Sequence, residues 1–215
     1  MENENNDIKF IDLIYREKKF LTDEECQFII DEYEKRSDES CDEHSSDATT
    51  LELKASTFKR IVLNPGTESY DLMFRSYEKL INKYVNYLDG FKAFHSCLKT
   101  SMLYSHSYRV LKYSEGESIH QHIDHSPGIY GSATLQLNDN YSGGDFVFFK
   151  GRNTIRLEKG EAMIWPADHF WVHEVKPIIS GARYSMNTFL CSVPPHYVLP
   201  NDFSVYRNQK PYKIY

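Results

Sequence analysis

The sequence predicts a mainly β protein of the α+β class, a jelly roll supported by N-terminal helices. Three observations lead there. From about residue 101, short runs rich in Tyr, Val, Phe and Ile alternate with turn residues: 107–113, 119–124, 131–137, 145–149, 153–157, 161–165, 170–175 and 183–192. Gly143-Gly144, Gly151, Gly160 and Gly181 punctuate them, and about eight short strands at near-regular spacing imply a sandwich or barrel. Ahead of residue 95, two segments instead repeat apolar residues every three or four positions, as helices do. Finally, 215 residues with 40% hydrophobic and 26% charged side chains suit one ordinary globular core. The division expected is a single domain over 1–215, with helical support over about 1–95, a β-core over about 101–192 and a tail over 193–215.

The first helix starts at a capping box. Thr22 can cap, Glu25 sits three residues on, and Asp23, Glu24 and Glu25 place acids where the helix dipole favours them. The run to about Lys35 carries Cys26, Ile29, Ile30 and Tyr33 on its apolar side. Residues 37–56 are polar and aperiodic and read as a solvated loop, with a substrate-covering lid as the alternative. Pro65-Gly66-Thr67-Glu68 turns into the strongest helix, in which Met73, Tyr77, Leu80, Ile81, Tyr84, Val85 and Leu88 form a core stripe and Gly90 ends the run.

Charge and composition narrow the functional classes. The net charge of −6 is uneven: residues 1–56 hold 17 acids and 7 bases, and the rest 14 acids and 18 bases. The larger part therefore has a mildly positive field, suited to a small dianion and too weak to imply nucleic acid. No stretch approaches the ~20 apolar residues of a membrane span. The polar, acidic start shows no secretory signal, so a cytoplasmic location is expected. Four scattered cysteines form no C-x-x-C pair and read as free thiols.

Nine histidines are present, and His122-Ile123-Asp124 stands out. Residues i and i+2 of a strand share a face, so an imidazole and a carboxylate would converge there. A further His from a distant strand would complete a two-His, one-carboxylate facial triad that leaves three coordination positions open, the arrangement of non-haem Fe(II) oxygenases. His173, in Trp171-Val172-His173-Glu174-Val175, is that candidate. His120 shares the parity of His122 and is the chief rival ligand, whereas His125 should face the other way.

The ordered set Tyr113-x-x-Gly116, His122-x-Asp124, Gly143-Gly144, His173-Glu174-Val175 and Arg183 resembles the prolyl 4-hydroxylase-like family of 2-oxoglutarate/Fe(II) dioxygenases over roughly residues 101–192. Phe20 to Ile30 resembles the family's first helix. The resemblance implies a double-stranded β-helix and a metal centre of His122, Asp124 and His173, with no catalytic side chain beyond it. It makes Arg183 the residue that grips the far carboxylate of 2-oxoglutarate. A bidentate guanidinium suits that task, because its charge cannot be lost. Tyr113, Gln136 and Asn187 are the further cosubstrate-side candidates, and Phe146 a wall. Fe(II), 2-oxoglutarate and O2 are implied, with ascorbate as a reductant. The implied reaction decarboxylates 2-oxoglutarate to succinate and CO2 while an unactivated C–H is hydroxylated.

The family's default acceptor is a peptidyl proline, so a protein or peptide partner is expected, with other protein side chains and small molecules left open. Arg183 stands where collagen-type enzymes carry Lys. A nucleic-acid-repair branch would need a second arginine six residues after Arg183, where Phe189 stands. A catalytically silent metal-binding barrel is the reading from another class. Oligomeric state is not readable.

Overall fold

The computed structural model describes residues 7–46, 53–124, 128–194 and 210–215. Two helices, α1 (Asp23–Lys35) and α2 (Glu68–Gly90), pack on one side of an eight-stranded sheet. The capping box at α1 forms: the Glu25 amide donates to Thr22 Oγ1 at 3.2 Å, and the Thr22 amide donates to Glu25 Oε2 at 2.8 Å. Thr67 caps α2, accepting from the Tyr70 amide.

Fourteen strands are formed among the described residues. The first three are β1 (Tyr15–Glu17), β2 (Cys41–Ser46) and β3 (Leu53–Val62). Next come β4 (Tyr104–Ser105), β5 (Arg109–Tyr113), β6 (Ile119–His122), β7 (Ile129–Gln136), β8 (Ser142–Gly143) and β9 (Phe146–Phe148). The last are β10 (Asn153–Ile155), β11 (Ala162–Pro166), β12 (His173–Val175), β13 (Ile178–Ser180) and β14 (Arg183–Cys191). The major sheet runs β1-β11-β7-β14-β5-β3-β2, with β4 beside β14. A four-stranded sheet, β10-β9-β12-β6, faces it, and β13 pairs with β8. All pairings are antiparallel.

Strand parity divides the interior. Val110, Ala133, Leu135, Ala162, Ile164, Met186 and Leu190 meet the apolar stripes of α1 and α2. Leu111, Tyr113, Met163 and Trp165 point instead between the sheets, against Phe146, Phe148 and Val175. Alternation along each strand thus makes one sheet serve two interiors. The adjacent glycines are sterically required. A Cβ on Gly143, at φ +75°, would stand 2.3 Å from the Pro177 carbonyl oxygen. One on Gly144, at φ +73°, would meet Ile178 Cδ1 at 2.5 Å and Arg183 Cδ at 3.2 Å. Only glycine lets β8 lie this close to β13 and to Arg183.

Two expectations need correction. The region before residue 95 is not only helical, because β1, β2 and β3 lie in it and join the major sheet. The expected loop over 37–56 contains all of β2 and the start of β3, paired as a hairpin. Its edge strand exposes Cys41 and Asp42, so no apolar alternation marks it in the sequence. Residues 47–52 of that segment lie outside the described residues, as does His125. Among the described residues no helix is long and apolar enough to cross a membrane.

Candidate metal centre and anion pocket

A cavity of about 290 Å³ opens between the sheets. Its wall draws on alternate residues of three neighbouring strands. β14 supplies Arg183, Ser185, Asn187 and Phe189; β5 supplies Arg109, Leu111 and Tyr113; β7 supplies Ser132 and Thr134. The opposite sheet contributes His122, His173, Phe146 and Val175.

His122 and His173 are direct cross-strand partners on β6 and β12, with ring centroids 4.3 Å apart. Asp124 follows β6 immediately. Its carboxylate lies 3.3 Å from His122 Nε2 through one oxygen and 3.4 Å from His173 Nε2 through the other. The Nδ1–H of His122 donates to the His120 carbonyl at 2.7 Å, and that of His173 to the Trp171 carbonyl at 2.9 Å. These bonds fix both rings with Nε2 toward the carboxylate, the tautomer a metal ligand needs. Possible ligand atoms of all three residues lie within 4.8 Å of one another, forming a group that could hold a metal ion.

The electrostatics of the three groups follow from burial and from one another. Burial opposes the charge of Asp124, yet His173, His122 and Ser132 outweigh it and hold the carboxyl well below the usual carboxylate range. Burial also disfavours charge on His122, but the Asp124 carboxylate prevails and raises its pKa. His173, buried and next to a second imidazole, is pushed down to about 4. A permanent carboxylate with a neutral imidazole beside it is the ionisation a divalent cation requires.

Arg183 lies deeper on the same cavity. It is 1% exposed, and none of its three guanidinium nitrogens has a hydrogen-bond partner among the described residues. Its Cζ sits 5.1 Å from the Tyr113 ring and 5.0 Å from the Phe146 ring. A buried cation without a counter-charge costs several kcal/mol, on the order of the penalty for breaking a buried ion pair. With these rings over the guanidinium, its hydrogen-bonding edge is the direction from which an anion can compensate it. The residues present therefore fit a metal ion and a carboxylate-bearing ligand together.

The remaining sequence candidates are distributed unevenly. Tyr113 and Phe146 are on the cavity wall, and Tyr113 stacks on Phe58 at 4.2 Å. Asn187 lines it too, with a buried Oδ1 that has no partner among the described residues. Gln136 is off the wall: its amide donates to the carbonyls of Asn138 and Tyr184 at 2.9 and 3.0 Å. The rival His120 is exposed and outside the group. The reason is an irregular register. His173 pairs with His122 but Val175 with Ile119, so β6 holds one residue more than β12 there, and a bulge breaks simple parity. The sequence reading passed over Arg109, Glu43, His106 and Trp165, all of which line the cavity. Parity counted back from Tyr113 along β5 would have found Arg109.

Residues 108–191 match the family model described as the 2OG-Fe(II) oxygenase superfamily. That segment contains the triad and Arg183. Solved structures share the fold. A viral collagen prolyl hydroxylase from Paramecium bursaria Chlorella virus-1, in complex with 2OG, is similar at TM-score 0.63 and 16% identity, over 86% of this chain and 97% of that one. A prolyl-4-hydroxylase from Pseudomonas putida gives 0.61 and 18%, over 83% and 91%. A prolyl hydroxylase from Trichoplax adhaerens, bound to a hypoxia inducible factor peptide fragment, gives 0.63 and 13%, over 84% of each chain. No curated protein matches the chain.

Proposed function

We propose that this chain is an Fe(II)- and 2-oxoglutarate-dependent dioxygenase that hydroxylates a peptidyl proline. In this reading His122, Asp124 and His173 hold the iron, and Arg183 pairs with the far carboxylate of 2-oxoglutarate. The observation that carries it is the guanidinium of Arg183, buried and without a partner among the described residues, on the same cavity as the triad. Iron bound with 2-oxoglutarate supplies activation of O2 for insertion into a C–H bond, with succinate and CO2 as coproducts.

The chain's own residues do the binding and the positioning. The carbonyls of His120 and Trp171 keep the two imidazoles in the ligating tautomer. The Tyr113 and Phe146 rings pack against the guanidinium of Arg183 and hold it in place. Trp165 and Phe148 pack on His173, with ring centroids 5.3 and 5.4 Å away, and shield it from bulk water. Three protein ligands leave coordination positions for the cosubstrate and O2, as a closed structural site would not.

The choice of proline is supported by the three fold neighbours above, each a prolyl hydroxylase by its own description. The test is incubation with Fe(II), 2-oxoglutarate and ascorbate and a panel of proline-containing peptides. Gain of one oxygen atom by a peptide, with one succinate formed per event, is the expected result. Succinate formation that does not depend on iron would refute the reading.

A further inference from the structure

Beyond the triad and Arg183, the cavity has a second cationic end. Arg109 and Arg183 both line it, from adjacent strands whose register pairs Arg183 with Tyr113 and Asn187 with Arg109. The two arginines are therefore about four residues apart along the sheet, on the order of 13 Å at the rise of an extended strand. That is the spacing of their backbones; the Arg109 charge is also felt at His122 of the triad, so its guanidinium lies toward the metal centre.

Arg109 is 8% exposed. Its Nη1 donates to Glu43 Oε2 at 3.0 Å, while its buried Nε has no partner among the described residues. The same Glu43 oxygen lies 2.6 Å from Arg60 Nε. One carboxylate thus serves two guanidiniums, and among the described residues the ion pairs at this wall leave one positive charge in excess. Both arginines also act on His106, another lining residue, whose protonation they disfavour after burial has done so. Phe189 lies under the Arg109 guanidinium at 4.3 Å and holds it in place. Beside it, Asn187 offers the buried Oδ1 without a partner.

We infer that Arg109 is a specificity-determining residue that takes an anionic group of the substrate, a carboxylate placed near the carbon that is oxidised. The inference rests on the function proposed above and deepens it. Glu43 orients the guanidinium and tempers its charge. Asn187 accepts an N–H from the same substrate. The carboxylate can come from an Asp or Glu side chain of a peptide, or from a small amino acid.

The experiment uses the full chain loaded with Mn(II) and 2-oxoglutarate, exposed to an equimolar library of acetyl-X-Pro-Y-amide peptides in which X and Y span all amino acids. A second arm uses free amino acids against their amides. Retained members are read by mass spectrometry after ultrafiltration. Peptides bearing Asp or Glu should be retained about 10-fold over their Asn or Gln isosteres, the worth of one partly screened ion pair. If the acid is that of a small molecule, the free amino acid should instead be retained over its amide. Arg109→Gln should abolish the preference, and Arg109→Glu should turn it toward Lys and Arg. Glu43→Gln, which leaves the cation less neutralised, should strengthen it, and this variant keeps the test alive if the Arg109 variants do not fold. Retention indifferent to charge overturns the inference. So does retention of no acid by a protein that still binds Mn(II) and 2-oxoglutarate. Failure to bind those two would instead refute the function on which it rests.

Discussion

On the helix side of the major sheet, Val110, Leu135 and Met186 are fully buried in the apolar core. On the cavity side of the same three strands stand Arg109, Thr134, Arg183, Ser185 and Asn187. The backbone is shared; only parity differs. The helix face gathers apolar surface that adds about 1.5–3 kcal/mol for each large side chain withdrawn from water. The cavity face keeps polar groups buried with unmet hydrogen bonds, among them every guanidinium nitrogen of Arg183 and Oδ1 of Asn187. Each of those costs free energy until a ligand arrives. One face of the sheet holds the fold together, and the other is held by it in a state ready to bind.

The contrast is open to attack, most severely at the metal centre. Asp124→Ala should lower iron-dependent 2-oxoglutarate turnover by more than ~10²-fold, since even residues behind metal ligands are worth ~10–100-fold. Its circular dichroism and thermal midpoint should stay close to wild type. His120→Ala, which alters only an exposed side chain, should leave iron binding unchanged. Iron binding that depended on His120 and not on His122 would reverse the assignment of the ligands.

A smaller pair of effects sets the two faces directly against each other. Leu135→Ala on the helix face should cost ~2–5 kcal/mol. At ~2–4 °C per kcal/mol for a chain of this size, the midpoint should fall by roughly 5–20 °C. Arg183→Met on the cavity face should leave the ligand-free protein as stable as wild type or more so, because it removes a buried unpaired charge. Comparable destabilisation by the two, measured by urea unfolding without ligands, would erase the distinction drawn between the faces.

The smallest effect is a dependence on pH. Burial, and then the charges of Arg109 and Arg60, push His106 down to about 4. The folded protein keeps this ring neutral while the unfolded chain protonates it near 6.5. Its contribution to stability is thus full above pH 6.5 and is lost as the pH falls from there to about 4, on the order of 3 kcal/mol in all. His173 acts in the same direction. In metal-free protein, His106→Gln should therefore flatten part, not all, of the acid-side slope. A slope equal to that of wild type would mean that His106 is not held neutral.

Much of this was readable from local signals. Thr22 and Glu25 announce α1, the stripe from Met73 to Leu88 announces α2, and the aromatic and β-branched runs after residue 101 mark strands that form within a few residues of their expected limits. The candidate site is legible in His122, Asp124, His173 and Arg183 because each residue's type is chemically restrictive, and all four line one cavity. What the sequence hides is non-local. β1 finds β11 across some 145 residues, and Glu43 reaches Arg109 from a polar stretch that looks like loop. The bulge that turns His120 outward depends on the partner strand, so parity within β6 alone could not reveal it. Gln136 shares the parity of Ser132 and Thr134, yet its amide binds backbone carbonyls and not the cavity.

The most direct measurement is calorimetric titration of 2-oxoglutarate into the Mn(II)-loaded protein, without O2, for wild type, Arg183→Ala and Arg183→Lys. Losing the partner of a buried charge costs ~3–5 kcal/mol, so Arg183→Ala should bind ~10²–10³-fold or more weakly. Lys restores the charge but not the bidentate fork, and should recover part of that loss. Binding in wild type should also require the metal. Equal affinity in wild type and a folded Arg183→Ala protein would mean the carboxylate is held elsewhere, and the account of this cavity would fail.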